Sequence, residues 1–124
     1  MKAIDIFGIY ESLTTLADKD LDLNTACDIA KNIQNLTIPK QILEQKRNKL
    51  IQEYGEKDKN GNLKTKENGT VIFTGDNEFE CNKKIAELFD EDVDVELVKI
   101  KKSALKDIKI SPKVALGLID ILEE

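Results

Sequence analysis

Between Ile4 and Ala17 the apolar residues Ile6, Ile9, Tyr10, Leu13, Leu16 and Ala17 recur three and four positions apart. That spacing lines one face of an α-helix. The polar run Asp18-Lys19-Asp20-Leu21-Asp22 interrupts it. A second helix is expected from about Asn24 to Leu36, with Ala26, Ile29, Ala30 and Ile33 facing inward and Asn24 or Asp22 as its cap. The short break between the two predicts an antiparallel helix pair. Pro39 suits the first turn of a third helix, where its missing N–H costs nothing. That helix is expected to run to Tyr54, with Gly55 as a left-handed residue just past its end. Ile42, Leu43, Leu50, Ile51 and Tyr54 form its apolar face, and Arg47 falls among them.

The polarity then changes character. Asn60-Gly61 and Asn68-Gly69 are hairpin turn signals, and Leu63–Thr65 and Thr70–Phe73 are the arms expected around the second of them. A fourth helix is capped by Asp76 or Asn77 and reaches Phe89, with Phe79, Ile85, Ala86, Leu88 and Phe89 inward. Val93, Val95 and Leu97 alternate with Asp94 and Glu96, which predicts a strand from Val93 to Ile100. The phase switches at Val98, consistent with a bulge or with burial on both sides. Ser103-Ala104-Leu105 suits a single helical turn. Ser111-Pro112 then places an N-cap and an N1 proline before a last helix running to the C-terminus.

These elements predict a mostly helical α+β fold of about five helices with a small antiparallel sheet. The sheet would join the central hairpin to the Val93–Ile100 strand. A single domain over residues 1–124 is expected, built from a helical hairpin (1–36), a long helix with a polar β-hairpin (37–75) and a helix–strand–helix (76–124). A chain of 124 residues is long enough to bury its own core without disulfides or metals.

Composition narrows the chemistry. The chain has no histidine, so the commonest general base and the commonest metal ligand are both missing. Cys27 and Cys81 form no C-x-x-C pair and are expected to be reduced thiols. No phosphate-binding glycine loop or nucleophile elbow occurs. No catalytic residue, metal site or cofactor is therefore expected, and an enzyme would have to run on carboxylates, lysine, tyrosine or cysteine alone. Asp5 interrupts any apolar leader, and no apolar run is long enough to span a membrane. The formal charge is −5, which does not provide the basic field of a nucleic-acid or anionic-membrane binder.

That charge is distributed in blocks, −3 over residues 1–36, +3 over 37–67, −7 over 68–96 and +2 over 97–124. The densest acidic run is Asp90, Glu91, Asp92, Asp94 and Glu96, interleaved with Val93 and Val95. As structure it is a solvated strand face whose charges deter edge pairing. As function it is an acidic contact for a basic partner surface. Arg47 likewise reads either as a snorkelling side chain or as a partner-binding one. The stretch Glu56–Glu67 places Glu56, Asp58, Asn60, Gly61, Leu63 and Glu67 at the positions of an EF-hand calcium loop. Against this stand a glutamate in the first position, four lysines within the loop, and a β-rich run where the exiting helix belongs.

The run from Gln45 to Asn62, with Lys66-Glu67-Asn68-Gly69, Ile85-Ala86-Glu87-Leu88, the Val93–Ile100 segment and the closing Ser111-Pro112 helix, resembles a group of short uncharacterised proteins encoded by tailed phages and prophages. The resemblance covers roughly residues 40–124 and has no catalytic residues to carry over. It implies a bacterial host cytoplasm or a virion as the setting. The expectation is a non-enzymatic protein-interaction protein, most simply a minor virion or assembly component. The alternative is a small inhibitor that blocks a host defence protein through an acidic surface. The partner is then a phage structural protein or a host defence protein, with no nucleic acid and no membrane. The helical faces leave a homo-oligomer open.

Overall fold

The computed structural model describes residues 1–124. Four α-helices carry the fold: α1 (Ala3–Ala17), α2 (Leu23–Tyr54), α3 (Asn77–Phe89) and α4 (Pro112–Leu118). Two short strands, β1 (Ile100–Lys101) and β2 (Leu122–Glu123), and two 3-10 turns (Lys102–Leu105 and Ile119–Ile121) complete it. The mostly helical α+β class is as expected, but the helix count and the sheet are not. No helix is long and apolar enough to cross a membrane.

The second and third expected helices are one helix, α2, with Pro39 inside it. An interior proline removes the N–H that would meet the Asn35 carbonyl and costs about 3 kcal/mol. Tertiary anchors around it offset this cost. Leu36 is fully buried before the proline and Leu43 is buried after it. The Lys40 ammonium sits 4.9 Å from the Tyr10 ring centre and 5.8 Å from that of Phe7, bringing α2 back beside α1. The buried row of α2 is Thr25, Ile29, Asn32, Leu36 and Leu43. Ala26 and Ala30, expected to face inward, are exposed.

The α2 start is held by Asp22. One of its carboxylate oxygens accepts the Thr25 hydroxyl at 2.6 Å and the other accepts the Thr25 N–H at 3.3 Å. The Thr25 hydroxyl, and after it the Thr25 N–H, hold the Asp22 carboxyl below its ordinary value of 3.8. A lowered carboxyl pKa stabilises the fold above the unfolded value, and that contribution fades as pH falls through the folded one. An NMR titration should find the Asp22 midpoint below 3.8, moving up toward it in Thr25→Val.

The chain divides into two compact units, residues 1–41 with 92–124, and residues 42–91. In the first, α1 buries Ala3, Ile6, Ile9, Leu13 and Leu16, with Ile29, Leu36, Ile100, Leu105, Leu118 and Ile121 contributed by later segments. The α4 start matches expectation: Ser111 Oγ accepts the Val114 N–H at 3.3 Å, and Pro112 opens the helix. The helix does not continue to the C-terminus. Leu122 and Glu123 leave it and pair in parallel with Ile100 and Lys101. Lys99 Nζ donates to the Asp120 carbonyl and Lys102 Nζ to Glu124 Oε1 at 2.9 Å, fastening both ends of this pairing.

The expected antiparallel sheet between the hairpin and Val93–Ile100 is therefore absent. β1 covers only Ile100–Lys101, and its partner is the C-terminal β2, in parallel. In the second unit, Asn60-Gly61 and Asn68-Gly69 do turn the chain, with the glycines at φ +81° and +85°. Antiparallel bridges join Lys57 to Leu63 and Thr65 to Val71. Three backbone bonds close a ring: Lys64 N–H to Glu56 O (2.8 Å), Glu56 N–H to Ile72 O (2.9 Å) and Ile72 N–H to Lys64 O (2.9 Å). Each segment thus uses its polar groups on the other two, without a strand from outside the unit.

Gly55 sits beside this ring and is not left-handed. Glycine is required there for room: a Cβ would lie 2.5 Å from Leu63 Cδ2 and 2.9 Å from the Ile51 carbonyl. Cys81 and Leu88 of α3 are buried in this unit, and burial raises the Cys81 thiol pKa. Phe79, expected to face inward, is 70% exposed. Cys27, in the first unit, is exposed, and both thiols are free.

Candidate functional site

The segment after α3 was expected to be a strand and instead runs with no strand partner from Val93 to Lys99. Its exposure alternates all the same: Asp92, Asp94 and Glu96 are exposed, while Val93, Val95 and Leu97 are half-buried. Apolar alternation chose the facing, and individual polar groups hold the backbone. The Met1 carbonyl accepts the Val93 N–H at 2.8 Å, and the N-terminal ammonium donates to the Val93 carbonyl at 3.2 Å. Asn35 Nδ2 donates to the Glu96 carbonyl at 3.1 Å.

Asn32 makes the strongest clamp. Its Nδ2 donates to the Val98 carbonyl at 2.9 Å, and its Oδ1 accepts the Val98 N–H at 2.6 Å. One side chain thereby imitates a neighbouring strand. Asn32 is 0% exposed, so these bonds replace water for both groups. The phase switch at Val98 coincides with this clamp. Sequence reasoning overlooked Asn32, although a signal was present: an amide three positions after Ile29 and four before Leu36 sits in the middle of a buried row.

The acidic run is thus divided. Asp92, Asp94 and Glu96 share the outer side of one clamped segment of the first unit. Asp90 and Glu91 are exposed residues of the second unit, to which the half-buried Arg47 on α2 also belongs. No group of three or more cysteine, aspartate or glutamate side chains is placed to hold a metal ion. In the Glu56–Glu67 loop, Asp58 Oδ1 accepts the N–H groups of Asn60 (2.8 Å) and Asn62 (3.0 Å). Glu56 Oε1 meets Lys64 Nζ at 3.1 Å. The loop is a hairpin in which one Asp58 oxygen serves its own turn and Glu56 pairs with Lys64, rather than the helix–loop–helix of an EF-hand.

A second feature of the first unit lies between α1 and α4. These helices approach closely because Gly117 faces Gly8 and Ser12. Beside the contact a cleft of about 320 Å³ opens. Ile9, Val114 and Leu116 supply apolar wall, and Asp5, Glu11, Asp120 and Lys113 supply charge. Comparison with protein-family models, with curated proteins and with solved structures gave no match to this chain.

Proposed function

We propose that this protein is a non-enzymatic interaction component of a tailed phage or prophage, serving virion assembly in the host cytoplasm or within the virion. The observation that carries the interaction reading is the carboxylate row Asp92, Asp94 and Glu96, held outward on a segment whose backbone is fastened by Met1, Asn35 and Asn32. Carboxylates on a held backbone meet a basic surface with less ordering cost than carboxylates on a free loop. Such a row also steers encounter and selects partners more than it adds raw affinity. The phage setting rests on the sequence resemblance alone.

The test is affinity capture of the tagged protein from phage-infected cells, beside the variant Asp92→Asn/Asp94→Asn/Glu96→Gln. The parent is expected to recover head or tail proteins and the variant to lose them, at an unchanged melting temperature, since all three side chains are exposed. Recovery of a single host defence protein instead would replace assembly with inhibition of that protein by the same row. Equal recovery by parent and variant would remove the row from the interaction.

A further inference from the structure

We propose that the cleft between α1 and α4 is a second docking surface, which receives a basic amphipathic segment of a partner protein. The inference extends the interaction reading to residues outside the acidic row. It begins from side chains that folding has left in water. Leu116 lines the cleft and is 72% exposed. Ile119, three positions along the chain, is 59% exposed, and Ile4, one turn before Gly8 on α1, is 56% exposed. Leu116 in the cleft wall, with Ile4 and Ile119 exposed elsewhere on the same two segments, marks a surface that is covered in use.

The cleft also has a hole to match an anchor. A Cβ built on Gly8 meets nothing within 4 Å, so the space beside its Cα is open, while its carbonyl side is covered by Gly117. The lining runs from Asp5 to Thr15 on α1 and from Lys113 to Asp120 across α4 and the following turn. At the helical rise these spans are about 15 Å and about 10 Å, the proportions of a groove for an elongated occupant. Apolar anchors in such a groove are how amphipathic segments are read.

Charge selects among occupants. Three carboxylates, Asp5, Glu11 and Asp120, line the cleft with one ammonium, Lys113, and the Lys99 ammonium sits at the Asp120 carbonyl, so negative charge remains in excess. A second copy docked about a two-fold axis would set this excess negative charge against itself, because an isologous interface repeats the same patch on both sides. A wholly apolar segment would strip water from the carboxylates and offer them no partner. A segment with apolar anchors flanked by lysine or arginine satisfies both the wall and the rim.

The probe is a synthetic helical peptide of about 14 residues, roughly 21 Å long, carrying leucine on one face and lysine beside it. Its control has glutamate in place of lysine. Both are titrated into the full-length isotope-labelled protein at physiological salt and followed by amide chemical shifts. The lysine peptide is expected to bind saturably, with the largest shifts at Gly8, Ser12, Leu116 and Gly117. The glutamate peptide should bind at least about tenfold more weakly. Gly8→Leu fills the open space and Leu116→Glu removes apolar wall. Both positions are exposed, so the folds should persist, and each variant should weaken the lysine peptide by about tenfold or more. Asp92→Asn/Asp94→Asn/Glu96→Gln should bind it as the parent does. Equal binding of both peptides, or shifts confined to the acidic row, would overturn the cleft assignment. The latter result would leave the row intact as the interaction surface. A concentration-dependent dimer in analytical ultracentrifugation, abolished by Leu116→Glu, would also overturn it and make a second copy the occupant.

Discussion

Gly117→Ala is expected to lower the melting temperature, although it replaces glycine with the best helix former inside a helix. On propensity alone the change should stabilise α4 by up to about 1 kcal/mol. The neighbourhood reverses the sign. A Cβ at residue 117 would lie 2.6 Å from the Gly8 carbonyl oxygen and 2.8 Å from Ser12 Cβ, and closer still to Ser12 Oγ. The Gly8 oxygen belongs to the α1 backbone, so relief requires α1 and α4 to move apart. Overpacking of this kind costs about 1–3 kcal/mol, or roughly 4–12 °C for a chain of this size. Gly117→Val should cost more. Gly8→Ala is the matched control: its Cβ meets no neighbour, so the same glycine-to-alanine change should raise stability by about 0.5–1 kcal/mol. Calorimetry on the three variants checks the pattern. A stabilised Gly117→Ala would mean that the helices have room to separate.

Asn32→Ala is expected to be the most damaging substitution of a polar residue. It removes donor and acceptor together and leaves the Val98 N–H and carbonyl without partners in a part-buried setting. Orphaning two such groups costs about 2–4 kcal/mol, roughly 8–15 °C in melting temperature. The loss should also be local. Amide hydrogen exchange at Val98 should accelerate more than exchange at Ile6 or Leu13 in the α1 core. Asn32→Asp is a sharper probe. It keeps the acceptor for the Val98 N–H but turns a carboxylate oxygen toward the Val98 carbonyl. Its deficit should shrink as pH falls into the range where a buried carboxyl is protonated, because a neutral carboxyl can donate again. Asn32→Ala has no such group and should show no matching pH dependence. Equal exchange at Val98 in parent and Asn32→Ala would show that the segment is held by its apolar contacts alone.

The two substitutions bear on function through different surfaces. Asn32 holds the segment that carries Asp92, Asp94 and Glu96, so its loss should weaken capture of a partner by that row even at temperatures where the protein remains folded. Gly117 sets the spacing of α1 and α4 and hence the shape of the cleft.

Several features of the fold were legible in local chemistry. The spacing of Ile6, Ile9, Leu13 and Leu16 specifies a helix and its buried face whatever it packs against, because the period belongs to the helix itself. Ser111-Pro112 marks a helix start through one hydroxyl and one missing N–H, both within a single turn. Asn60-Gly61 and Asn68-Gly69 turn the chain because glycine alone enters the required backbone region without strain. The alternation from Val93 to Leu97 likewise predicted which side chains would face outward, and so placed the carboxylate row correctly on the solvent side.

What local chemistry does not contain is the identity of partners distant in sequence. Pro39 reads as a helix start on its own. It lies inside α2 because Lys40, Leu36 and Leu43 find anchors that offset the broken bond, and none of those anchors is visible within one turn of the proline. Val93–Ile100 carries a strand pattern, yet its backbone is satisfied mainly by asparagine side chains 61 and 66 positions away and by the N-terminus. The last residues extend the apolar pattern of α4 but leave the helix to pair with β1. By itself, then, the sequence determined the helical faces, the caps, the turns and the outward carboxylates, since each depends on the intrinsic geometry of a few consecutive residues. The tertiary structure alone decided the continuity of α2, the clamp at Asn32, the parallel pairing at the C-terminus and the α1–α4 cleft. Each of these is a balance between a local cost and a contact made with a remote part of the chain.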